Sequence, residues 1–141
     1  SSECGLGNAL DGYKGTDPGS TAGDALDAFT AAYQAEFGED PAPYSAQAYD
    51  AIMIMALSAA ANGVTGADIA SGLVEASANG TPCIGVECLA SAAAGENIDY
   101  KGASGDINLD EQGDPTASTY DVWQITSGDE EEVIKSIDFG S

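Results

Sequence analysis

The chain reads as an α/β fold in which helices come first and short strands follow. Three observations predict it: a long helix-forming stretch from Asp24 to Asn62, a third helical segment opening at Thr65, and a change to alternating patterning after Gly95. No obvious catalytic group stands between these elements, so the order points to a binding protein rather than an enzyme.

Residues 1 to 23 are rich in Gly, Asp, Ser and Thr, with Asp17-Pro18-Gly19 as a turn signal, and are expected to form an irregular lead-in. The first helix should run from Asp24 to Phe37, because Leu26, Phe29, Tyr33 and Phe37 recur at helical spacing on one face. Gly38 ends it by tolerating the left-handed conformation that terminates helices. A second helix opens near Tyr44 or Ser45, with Ser45 as a plausible N-cap. Ala48, Ile52, Met55, Ala56 and Ala59 occupy one side of it, with Tyr49, Met53 and Ala60 beside them, and so wide an apolar surface predicts burial on several sides. Thr65-Gly66-Ala67-Asp68 resembles a capping box with Asp in place of Glu, and it opens a third helix that Asn79-Gly80 closes. A short helix follows from Glu87 to Ala94, stopped by Gly95.

Beyond Gly95, Ile107 and Leu109 alternate with Asp106, Asn108 and Asp110, and Tyr120, Val122 and Gln124 alternate with Asp121, Trp123 and Ile125. Both runs read as strands, and Val133 to Phe139 reads as a further one. Ser127 to Glu132 reads as a solvated, charged turn.

The 141 residues suit one domain of ordinary size or a piece of a larger protein, and a 43% hydrophobic content can fill a core. A net charge of -21 arises from 24 acidic residues against Lys14, Lys101 and Lys135. Nucleic acid is excluded as a partner, since phosphate contacts need clustered cations, and an anionic membrane surface would repel the chain. The charge itself is tolerable. A folded area of roughly 6,700 Å² for this mass spaces the carboxylates about 17 Å apart, beyond the ~8 Å screening length at physiological salt. Ser1 to Asn8 is polar without the apolar run of a signal peptide, and Ala51 to Ala61 is too short to span a bilayer.

Cys83 and Cys88 lie five positions apart, with Pro82 and Gly85 favouring a turn that could bring them together. A local disulfide is the leading reading, and two buried thiols are the alternative. With no His in the chain, one Cys pair supplies only half a zinc shell, so no metal or other cofactor is expected. A disulfide places the protein outside the cytoplasm and leaves Cys4 free or paired elsewhere.

Two other segments resemble functional motifs only in part. Asp106-Ile107-Asn108-Leu109-Asp110 supplies the first three ligand positions of a calcium loop, but Glu111 and Ala117 stand where such a loop needs Gly and Glu. Ser104 in Gly102-Ala103-Ser104-Gly105 is not a nucleophile elbow, because Asp106 occupies the position of its second Gly. Without His, the usual hydrolytic triads are also unavailable.

The ordered set Phe29, Tyr33, Phe37-Gly38, Pro41, Tyr44, Ala48-Tyr49-Asp50-Ala51, Tyr100, Gly102-Ala103-Ser104-Gly105, Gly113-Asp114 and Tyr120-Asp121-Val122-Trp123 resembles the C-terminal part of type I periplasmic solute-binding proteins. The likeness is to the branched-chain amino acid, amide and urea binders of ABC transporters. It implies a periplasmic-binding-protein type I-like α/β fold, of which this chain is a C-terminal fragment. Two lobes of that fold close on a solute about a hinge of three strands. By that resemblance, residues 1–16 lie near one hinge crossing, 17–119 form part of the first lobe, 120–125 are a hinge strand and 126–141 return to the second lobe. Such a fragment is not expected to clamp a solute alone.

The resemblance further implies that Tyr44, Ala46 and Gln47, at the start of the second helix, face the solute, with Asp50 available to accept an ammonium. Alternatively, Tyr44 is a helix-entry packing residue, Gln47 is simply exposed, and Asp50 is solvated or bonded to a neighbouring backbone. Tyr120, Val122 and Trp123 are the implied hinge residues, with Trp123 as hinge packing. The implied partners are a small-molecule solute (an amino acid or amide), an ABC permease and the remainder of the two-lobe protein. The implied location is periplasmic or extracellular, with a lipoprotein anchor on sequence upstream. A ligand-sensing receptor on the same fold, and an acidic calcium-dependent surface module, are the alternatives.

Overall fold

The computed structural model describes residues 7–126 and 130–140. Cys4 and the first part of the Ser127–Glu132 segment fall outside them. The element order is β1 (Lys14–Pro18), α1 (Asp24–Phe37), α2 (Ser45–Asn62), α3 (Gly66–Ser77), β2 (Thr81–Ile84), α4 (Cys88–Ala93), β3 (Ile98–Lys101), β4 (Ser118–Thr126) and β5 (Glu130–Phe139). Two sheets result: an antiparallel ribbon in the order β1-β4-β5, and a two-stranded parallel pair, β2-β3.

The helices obey the local signals. α1 ends at Gly38, whose φ of 74° is the left-handed stop that glycine adopts without steric cost. The Thr65 hydroxyl accepts from the Asp68 N–H at 3.2 Å while the Asp68 carboxylate accepts from the Thr65 N–H at 3.2 Å, completing the capping box of α3. The start of α2 differs from expectation. Tyr44, not Ser45, holds the N-cap position, in a left-handed conformation with φ of 69°, and no side chain caps the helix.

The burial of α2 also differs. Ala46, Asp50, Met53, Ile54, Leu57 and Ser58 point inward, whereas Ile52 is 63% exposed and Met55 39% exposed. Alanine is apolar on every face, so the pattern could not say which side would meet α3 and β3. The core itself is small: Met53, Ile54 and Leu57 of α2 pack with Ala76, Cys88, Ala92, Ile98 and Tyr100. The accessible surface is 8502 Å², against roughly 6,700 Å² for a compact chain of this mass. Much of the excess is apolar, because every residue of β5 is exposed, including Val133, Ile134, Ile137 and Phe139.

Four further departures concern strands. The segment expected to be an irregular lead-in contains β1, and Asp17-Pro18 lies within that strand, paired with Asp121 and Tyr120 of β4. Pro18 is tolerated because it is the last residue of an edge strand, where no ladder N–H is required. The run Asp106 to Asp110 forms no strand. It makes only isolated bridges, Lys101 to Asp106 and Leu109 to Pro115, because it folds back on itself around Asp110. Glu130 to Glu132 are strand rather than turn, extending β5 beside Gln124, Ile125 and Thr126. Neither β2 nor β3 was expected: β2 shows no period in its four residues, and β3 alternates, with Ile98 and Tyr100 buried and Asp99 and Lys101 half-buried, over too short a run to stand out in the sequence. Tyr120 to Ile125 is a strand as expected, but its burial does not alternate, with Asp121 to Ile125 all half-buried, and its pairing with β5 shifts register between Val122 and Trp123.

Cys83, in β2, and Cys88, at the start of α4, form a disulfide with their Cα atoms 5.7 Å apart. Gly85 between them takes φ of +65°, which lets the chain double back over so short a distance.

Candidate functional site

The carboxyl ends of β2 and β3 open onto a groove of about 830 Å³. In parallel α/β units this is the end of the sheet where loops converge and ligands bind. Ile54 and Leu73 line it from the helices, Ile107 and Leu109 from the segment after β3, and Tyr120 and Phe139 from the ribbon. Gln47, Asp50, Ser104 and Thr119 contribute the polar groups.

Asp50 is the centre of this region. It is 3% exposed, yet each carboxylate oxygen is fully used. Oδ1 accepts from the Tyr100 hydroxyl at 2.9 Å and the Ala103 N–H at 2.8 Å. Oδ2 accepts from the Ser104 N–H at 2.7 Å and the Ser104 hydroxyl at 2.6 Å. Four donors replace the water that a buried carboxylate loses, which is why an acid is tolerated here without a cation beside it.

The Gly102-Ala103-Ser104-Gly105 turn makes this possible. Gly102 and Gly105 exchange reciprocal backbone hydrogen bonds at 2.9 and 3.2 Å. A Cβ at Gly102 would stand 2.6 Å from Asp50 Oδ2, so only glycine lets the backbone wrap this closely round the carboxylate.

Tyr100 is fully buried, and burial, followed by the Asp50 charge and hydrogen bond, pushes its hydroxyl well above its ordinary pKa. Tyr49 moves the same way, by desolvation first and the Asp50 charge second. Lys101 sits at the rim, with its Nζ 2.6 Å from Asp106 and 3.0 Å from Asp99, and the hydrogen bond to Asp106 is the largest influence raising its pKa.

The structure gathers the residues expected at the start of α2 into one neighbourhood but gives them different surroundings. Tyr44 is 54% exposed, its hydroxyl 3.5 Å from an Asp17 carboxylate oxygen. Ala46 is buried. Gln47 is half-buried, and its Nε2 donates to the Gly19 carbonyl at 2.8 Å and the Pro18 carbonyl at 3.4 Å. Asp50 is neither solvated nor bonded to its own helix; its partners lie on β3 and the turn that follows. Tyr120, Val122 and Trp123 all lie in β4. The Trp123 ring lies over Gly15 of β1, filling the space a side chain there would need.

Sequence reasoning weighed Ser104 only as a nucleophile and assigned Thr21, Thr119 and Asp138 no role. Their partners are 19 to 98 positions away, a distance at which no local pattern carries a signal. In the calcium-like segment, Asp110 Oδ1 accepts from the N–H groups of Gln112 and Asp114, both at 2.9 Å, and so caps a turn. Among the described residues no group of three or more His, Cys, Asp or Glu could hold a metal ion.

Residues 11–128 match the profile of the receptor family ligand binding region. No curated protein matches the chain. Among solved structures, it is similar to a leucine binding protein, LivK, from Thermotoga maritima, with a TM-score of 0.62 and 23% identity, over 93% of this chain and 32% of that one. The chain therefore spans about a third of the length of that structure, whose fold it shares. With more than half its length matched, the chain belongs to the receptor family ligand binding region, the type I periplasmic solute-binding fold.

Proposed function

We propose that this chain is part of an extracytoplasmic solute-binding component of an ABC importer, holding an amino acid or small amide-like solute between two lobes. The observation that carries the reading is the family match combined with the groove at the carboxyl ends of β2 and β3. A parallel sheet is stable only with neighbours and with both faces covered. The two strands of this pair, and the exposed apolar residues of α2 and β5, fit a unit completed by the rest of a two-lobe protein.

On this reading, residues 17–119 belong to the first lobe, 120–125 form a hinge strand with Tyr120, Val122 and Trp123, and 126–141 return to the second lobe. Of the expected set, Gln47 and Asp50 line the groove, whereas Tyr44 is exposed but outside its lining. Gln47 and Asp50 also seat α2 against the end of β1 and the turn after β3, and Ala46 is buried in the same helix turn. The disulfide is consistent with an oxidising compartment.

The family's description also favours a second reading, a ligand-sensing receptor that signals instead of delivering. The test is a thermal-shift and calorimetric screen of the full-length protein against leucine, isoleucine, valine, small amides and urea. Saturable binding that falls on Gln47→Ala, a residue lining the groove, supports the proposal, and no binding by any of these solutes refutes it. A permease that associates with the loaded protein separates delivery from sensing.

A further inference from the structure

The antiparallel ribbon and the helical unit meet through polar groups. β1, β4 and β5 pack chiefly on one another, as do α2, α3, α4 and β3. Between the two lies a continuous run of hydrogen bonds. Thr119 Oγ1 donates to Asp138 Oδ1 at 2.9 Å, joining β4 to β5. That uses its single proton, so in the 3.0 Å contact with Thr21 Oγ1 it is Thr21 that donates.

The Thr21 N–H donates to the Ser104 carbonyl at 3.1 Å, and the Ser104 N–H and hydroxyl both donate to Asp50. The run begins and ends on a carboxylate, and every hydroxyl proton along it has one direction. A Cβ at Gly105 would stand 3.0 Å from Thr21 Oγ1, so the turn leaves room for this contact.

We infer that Thr21, Thr119 and Asp138, continuing through Ser104 to Asp50, form a strap that sets the orientation of the ribbon on the helical unit, with Thr119 as its central positioning residue. Apolar packing does not fix this joint, because Tyr120, Ile137 and Phe139 beside it are all exposed. The inference concerns the joint alone and holds whether or not the chain serves an importer.

The test is a spin-label distance between Glu75→Cys on α3 and Glu131→Cys on β5, in a full-length protein carrying Cys4→Ser. Thr119→Val keeps the shape and removes the hydroxyl, and Thr119→Ser keeps the hydroxyl. Losing one net hydrogen bond raises the population of other ribbon orientations about fivefold. The expected result is a single narrow distance in the parent and in Thr119→Ser, and a broadened one in Thr119→Val. An unchanged distribution in Thr119→Val overturns the inference, as does equal broadening in both variants, which would assign the joint to packing. Should Thr119→Val not fold, Thr21→Val, at an exposed position, removes the hydroxyl that crosses the joint and is read in the same way. No solute enters the measurement, so its failure is distinct from failure of the importer reading.

Discussion

Asp50→Asn is the most informative single perturbation, because the two side chains have nearly the same shape and differ only in what they offer four fixed donors. The asparagine oxygen can serve one pair of them, either Tyr100 and Ala103 or the two Ser104 groups. The amide nitrogen then faces the other pair. A hydroxyl can rotate and accept, but a backbone N–H cannot, so in either orientation one buried N–H loses its partner. That costs about 1–3 kcal/mol, and the remaining bonds fall from charge-assisted to neutral strength at about 1 kcal/mol each, for a total of about 3–5 kcal/mol. Against a typical stability of about 5–15 kcal/mol this is a large fraction. Urea denaturation of the full-length protein, followed by circular dichroism, measures it. A loss below about 1 kcal/mol would refute the argument that Asp50 is held by its four donors as a carboxylate.

Two further outcomes follow from the same structure. Tyr100 is an acid whose folded pKa lies above its ordinary value of 10.0, so the unfolded chain loses the proton first and stability must fall as pH rises past that value, by about 1.4 kcal/mol per pH unit for this group. Tyr100→Phe should remove this group's share of the slope in urea titrations at alkaline pH, leaving the part due to Tyr49 and Lys101, and an undiminished slope would assign it wholly to those groups. Cys83 and Cys88 close a loop with a separation of 5 residues, for which the loop-entropy relation gives about 2 kcal/mol. Cys83→Ser should therefore lower the urea midpoint by the equivalent amount, and an unchanged midpoint would mean that the cross-link does not restrict the unfolded chain.

What could be read without coordinates was local. α1 runs from Asp24 to Phe37 as its apolar spacing demands, and the Thr65–Asp68 cap and the left-handed Gly38 follow from hydrogen-bonding and steric rules that need only neighbouring residues. The disulfide was similarly legible, as a five-residue separation with a turn between. β1, β2 and β3 were not. β1 and β2 are short runs interrupted by Gly or Pro, and the alternation of Ile98-Asp99-Tyr100-Lys101 in β3 is only four residues long; all three exist here because a partner strand supplies the ladder.

The inward face of α2 was also a tertiary decision. Ala, Met and Ile ring that helix, and its buried side was chosen by where α3 and Tyr100 sit. The roles at the candidate site came later still. Asp50 and Ser104 are 54 positions apart, and Thr21 and Thr119 are 98 apart, so their hydrogen bonds arise only once β3 and the ribbon are in place. Side-chain chemistry along the chain thus determined which helices form and where they stop. Which carboxylate became an anchor, and which tyrosine stayed at the surface, was decided by long-range packing, because burial and hydrogen-bond partners are properties of the assembled fold.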